Sequence, residues 1–157
     1  MARLRIERIL AGAFAALVAL SLPAMAQNAP GAAPIIDQPF AEHHLALQLS
    51  DKDPAKEALT LSVAYNLLKY YGPDRIAIEV VTFGPGIDLL RAGNPHRAEV
   101  DSLVSQGVQF DVCMNTVETI ERETGKPVDL NPHAVKVDAG VAQILALTEK
   151  GFTLVRP

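Results

Sequence analysis

The sequence predicts an α/β domain: a five-stranded, mostly parallel sheet with helices on both faces, of the open doubly wound, flavodoxin-like type. Three observations lead there. Five apolar, β-rich runs alternate with segments of helical period. The run Ile76–Phe83 (Ile-Ala-Ile-Glu-Val-Val-Thr-Phe) is almost continuously apolar, as a strand covered on both faces must be. The segments between runs have the length and pattern of crossover helices, which parallel strands require.

The folded chain is expected to begin near Glu42. His44–Leu49 is the first strand, with Leu45, Leu47 and Leu49 alternating against Ala46 and Gln48. Asp53 caps a helix with Pro54 at its first position, Gly72-Pro73 ends it, and Ala58, Leu61, Tyr65 and Leu68 form its buried face. Gly84-Pro85-Gly86 stops the second strand, and a short helical turn covers Ile87–Arg91. Asn94-Pro95 opens a helix that runs through Val100, Leu103 and Val104 to Gly107.

The third strand, Val108–Val112, runs straight into a helix. Asn115 reads as its N-cap, with Glu118 three residues later in capping-box position, and Gly125-Lys126-Pro127 closes it. Ala134–Val137 is a short fourth strand. Asp138 caps a helix bearing Val141, Ile144, Leu145 and Leu147 that ends at Gly151, and Phe152–Val155 is the last strand. No internal repeat interrupts this order.

The first 26 residues read as a secretory signal. Arg3, Arg5 and Arg8 form a basic start, Ile9–Leu22 an apolar core of 14 residues, and Ala24-Met25-Ala26 a cleavage site. The core is shorter than the roughly 20 residues a membrane span needs. Residues 27–41, with Pro30, Gly31, Pro34 and Pro39, read as a flexible leader. The mature protein is therefore expected to be periplasmic or secreted, with no membrane association once the signal is removed.

Removing three Arg and one Glu with the signal takes the 14 basic and 18 acidic residues to 11 and 17, a net charge of −6 with histidine neutral. An acidic surface of this kind disfavours nucleic acid and anionic membranes as partners. One cysteine, Cys113, cannot form an internal disulfide. A lone exported cysteine is buried, paired between chains, or reactive.

In open parallel sheets, sites form outside the carboxyl ends of the strands. That edge selects Ser50-Asp51-Lys52, Gly84-Pro85-Gly86, Cys113-Met114-Asn115-Thr116 and Asp138-Ala139-Gly140. A thiol at a strand-to-helix junction lies near unpaired amides and the positive end of a helix dipole, which favour thiolate and make a nucleophile. The alternative for Cys113 is a small buried hydrophobe.

The other edge residues also read in two ways. Gly84 and Gly86 either admit a ligand to the backbone or serve the turn. Asn115 and Thr116 cap a helix whose amides can hold an anion. Asp138 either contacts substrate or caps. His133 precedes the fourth strand and so lies toward the opposite edge, against a dyad with Cys113 in one subunit. His43 and His44 point to opposite faces of a strand, and His96 and His133 make no cluster, so no metal site is expected. No phosphate-binding glycine loop and no nucleophilic serine elbow is present, and no cofactor is called for.

From about His43 to Pro157, the chain resembles the DsrE/DsrF-like family of sulfur-relay proteins. The likeness rests on Asp53-Pro54 with Asn66-Leu67-Leu68, the run Glu79–Gly86, Gly107-Val108 with Cys113-Met114-Asn115-Thr116, and Asp138–Val141 with Lys150-Gly151-Phe152. The resemblance implies a five-stranded α/β domain that forms homo-oligomers, often trimers or hexamers. It implies that Cys113 accepts sulfane sulfur as a persulfide from a donor and passes it to an acceptor protein or small thiol. Backbone amides of Gly84, Asn115 and Thr116 are then expected to cradle the outer sulfur. Export sets this chain apart from relay members that act in the cytoplasm. The competing reading is a non-catalytic small-ligand-binding or assembly module of the same fold.

Overall fold

The computed structural model describes residues 35–157. The expected signal sequence, residues 1–26, and residues 27–34 of the expected leader lie outside the described residues. The elements are β1 (His43–Leu49), α1 (Pro54–Tyr71), β2 (Ile76–Thr82), a 3-10 segment (Gly84–Leu90), α2 (Arg97–Val104), β3 (Gln109–Cys113), α3 (Met114–Thr124), β4 (Val135–Val137), α4 (Gly140–Glu149) and β5 (Thr153–Val155).

All five strands are parallel, in the order β4-β3-β2-β1-β5. The chain steps outward from β1 to β4, then returns past the whole sheet to lay β5 on the free side of β1. Right-handed crossovers put connections that step in opposite directions on opposite faces. Accordingly α1, the 3-10 segment, α2 and α3 cover one face, where Leu47, Ile78, Val80, Phe110 and Val112 join Leu61, Leu89, Leu103 and Val117 in the larger core. Among the described residues, α4 is the helix that covers the second face, through Ile144 and Leu147 packed on Ala46, Ala77 and Val81. Ile35, Ile36 and Ala41 add to that cover, so packing extends upstream of Glu42, where the folded chain was expected to begin.

Local chemistry accounts for most element ends. Asp53 Oδ1 accepts from the Ala55 N–H at 2.9 Å, Pro54 opens α1, and Gly72 ends it at φ 91°. The buried stripe of α1 is Leu61, Ala64 and Leu68 with Glu57 and Thr60. Ala58 and Tyr65, expected inside, are outside. Glu57 takes that place because its carboxylate accepts from Asn94 Nδ2 at 3.1 Å, and Thr60 because its hydroxyl donates to the Lys56 carbonyl at 2.8 Å. On α4 the order is likewise exchanged: Gln143 is buried while Val141 and Leu145 face outward.

Candidate functional site

Cys113 is the last residue of β3 and the N-cap of α3, with extended backbone (φ −70°, ψ 112°). Strand and helix are therefore joined without a loop. The helix starts at Met114, so Asn115 is its second residue and the capping box expected from Asn115 and Glu118 does not form. Phe110 and Val112 point into the larger core, so Asp111 and Cys113 alternate onto the second face. There the thiol meets the start of α4. A Cβ built on Gly140 would come within 3.3 Å of Cys113 Cβ and 3.1 Å of Phe83 Cβ, and Sγ lies 4.0 Å from the Asp138 carbonyl oxygen. The sulfur thus sits beside the N-termini of two helices, α3 and α4, whose dipoles place positive potential there. Cys113 is 6% exposed.

The residues expected to cradle an outer sulfur are distributed differently. The Asn115 N–H donates to the Asp138 carbonyl at 3.1 Å, and the Gly84 N–H to Thr116 Oγ1 at 3.0 Å. Both amides are spent inside the protein, so neither is free for a ligand as arranged. Asp138 is not the helix cap: Ala139 holds that position without a side-chain bond, and Asp138 is exposed. Its carbonyl is what reaches the β3–α3 junction. Gly86 is buried where a Cβ would stand 2.3 Å from the Leu49 carbonyl oxygen, so its role is close backbone packing rather than ligand contact. Gly84 holds φ 53° at the turn out of β2.

Gly84, Asn115 and Thr116 instead line an open cleft of about 490 Å3 on the larger-core side of the α3 N-terminus, together with Lys52, Asp88 and Arg91. Cys113 does not line it. The carboxyl edge therefore carries two separate features, the thiol beneath α4 and the cleft between the 3-10 segment and α3. Lys52 belongs to the edge selected from sequence, whereas Asp88 and Arg91 were not anticipated. Their signal was two opposite charges in a short apolar turn.

The histidines lie as their spacing implied. His43 packs against Tyr71 of α1 at 4.1 Å between ring centroids, and His44 against Phe152 on the other face at 5.1 Å. His133 precedes β4, at the opposite end from Val137, the residue that pairs with Cys113. Among the described residues no group of three or more His, Cys, Asp or Glu side chains gathers.

Sequence reasoning also missed a buried carboxyl pair. Glu79 of β2 and Asp111 of β3 face each other under α4, both with no exposed surface. Glu79 Oε1 accepts from the Ile36 N–H at 2.8 Å and Oε2 from Gln143 Nε2 at 3.2 Å, while Asp111 Oδ1 accepts from Gln109 Nε2 at 2.9 Å. Burial, then the neighbouring Glu79 charge, pushes the Asp111 carboxyl up to about 8, and burial raises Glu79 as well. Asp111 Oδ2 finds no donor. A proton held on Asp111 and offered to Glu79 accounts for that oxygen. A glutamate in the middle of an apolar strand was the visible sign.

No protein-family model matches the chain, and no curated protein does. Among solved structures, the chain is similar to MTH1491, a protein of unknown function from Methanobacterium thermoautotrophicum. The two share 27% identity over 74% of this chain and 100% of the other, with a TM-score of 0.66, which places this protein among α/β domains of that build.

Proposed function

We propose that the protein is a sulfur carrier in which Cys113 accepts sulfane sulfur as a persulfide and hands it to a partner. The observation that carries this is the position of Cys113, at the carboxyl end of an interior strand and beside the N-termini of α3 and α4. Both dipoles stabilise negative charge on sulfur, as a nucleophilic thiolate and its persulfide product require. In the first transfer the Cys113 thiolate attacks the outer sulfur of a donor R–S–S⁻. The new S–S bond forms as the donor's bond breaks, and R–S⁻ leaves with the electron pair. An acceptor thiolate then attacks the outer sulfur with Cys113 as leaving group, so no net oxidation occurs and no external oxidant is needed. The small exposed patch suits a slender donor such as polysulfide. The signal-like pattern of residues 1–26 supports a setting for this chemistry outside the cytoplasm. Outward-facing Val141 and Leu145 on α4, with Leu154 and Val155 on β5, support self-association as its setting.

Incubation with polysulfide should add sulfur mass to the intact protein, removable by reductant and absent in Cys113→Ser. No gain, together with no labelling of the native thiol by a small alkylating reagent, would overturn the carrier. The second reading is a small-ligand-binding module, favoured by the cleft that lies apart from the thiol. It expects ligand binding unchanged in Cys113→Ser.

A further inference from the structure

The cleft between the 3-10 segment and α3 carries an assignment that does not depend on any reaction of Cys113. Its side chains are rich in donors. Lys52 Nζ lies 3.1 Å and Arg91 Nε 3.3 Å from the same oxygen, Asp88 Oδ1. Two cations share one carboxylate, which leaves the cleft one positive charge in a protein of net charge −4. The Arg91 contact is an ion pair without a hydrogen bond, since its Nε–H is buried and finds no acceptor. Thr116 Oγ1 accepts from the Gly84 N–H, so its own hydroxyl proton is left to donate. Asn115, exposed on the rim, adds an amide donor. Beside these donors, Pro85, Ile87 and Ile120 supply apolar wall.

An acceptor-rich head of single negative charge and a compact apolar body match those two halves. We propose that this cleft binds a small organic monoanion, its oxyanion head between Lys52, Arg91 and the Thr116 hydroxyl and its apolar body against Pro85 and Ile120. Asp88 keeps the two cations together when the cleft is empty. The guanidinium fork then offers the head two parallel donors, the geometry for which arginine is suited.

Butanoate is the probe, with n-butylammonium, butanamide and formate as controls, titrated into the purified protein and followed by amide chemical shifts. Butanoate should shift Gly84, Ile87 and Thr116 saturably. Butylammonium and butanamide, without the negative head, and formate, without the body, should each bind at least about tenfold more weakly. Lys52→Gln, at an exposed position that the fold does not need, and Arg91→Gln should each weaken butanoate about tenfold or more, while Cys113→Ser leaves it unchanged. Equal binding of butylammonium, no saturable binding of butanoate, or full affinity in Lys52→Gln and Arg91→Gln would overturn the assignment. Formate binding as tightly as butanoate would overturn the apolar half of it. Loss of butanoate binding with intact sulfur loading, or the reverse, separates this cleft from the carrier chemistry.

Discussion

Asp111 couples this protein's stability to pH. Its folded value of about 8 lies above the ordinary aspartate value of about 3.9. The folded state therefore keeps a proton that the unfolded chain releases once pH passes about 4. The stabilisation is complete below that pH and drains away as pH rises through about 8. Glu79, raised in the same direction by burial, adds to the trend, and Lys150 opposes it. Asp111→Asn keeps the shape and a donor toward Glu79 but removes the titration. Denaturant unfolding should find the variant more stable than the parent at pH 8, by on the order of a few kcal/mol, with the difference closing toward pH 4. Parallel pH profiles would contradict it. Gly86 offers a second test at this scale. A methyl group there strikes the Leu49 carbonyl at 2.3 Å, so Gly86→Ala should cost about 2–3 kcal/mol in the same assay, and a neutral result would refute close packing as the reason for glycine.

Among the elements, α4 bears the most for its size, since among the described residues it is the helix that covers both the second face and Cys113. Its own Leu147 is fully buried, and Leu147→Ala should cost about 2–5 kcal/mol. Because local opening of α4 uncovers the thiol, this variant should also speed alkylation of Cys113. Leu61→Ala, a truncation in the other core, should not do so when matched for stability. Equal alkylation rates would show that α4 does not gate the sulfur. The same helix shows where the sequence stops being legible. Its limits could be read from Asp138 and Gly151 to within two residues, but Gln143 is inside and Val141 and Leu145 outside. Gln143 belongs inside because a glutamate of another element awaits it, information that no window of α4 contains. The start of α3 failed for the same kind of reason. Asn115 has the chemistry of a cap, yet its amide is satisfied by Asp138, far along the chain, which lets the helix begin earlier at Met114. Where ends depend on local chemistry, as with Asp53, Pro54 and Gly72 around α1, the sequence was sufficient.

For the whole molecule, the class of fold followed from alternation and from the doubly buried run of β2, both local properties. The strand order did not, because β5 is short, outward-facing and without distinctive sequence. The candidate site was legible as an edge and not as an arrangement. Cys113, Gly84, Asn115 and Thr116 all belong to the carboxyl edge, but the sheet divides them between its faces, and the divider is the alternation of Val112 and Cys113 at the end of β3.

The pairing of β5 with β1, Leu45 opposite Thr153, also sets an order in time. A chain emerging from the ribosome can assemble β1 to β4 and the larger core in sequence, but everything that roofs the second face from the carboxyl-terminal side is synthesised last. Until α4 arrives, Asp111 lacks its cover and Glu79 has only the Ile36 N–H and its flanking residues over it, so the carboxyls are open to water and ionise at neutral pH. Closure then requires the pair to take up a proton. Completion of this fold is thus coupled to proton uptake, and acid favours the closed state over the open one.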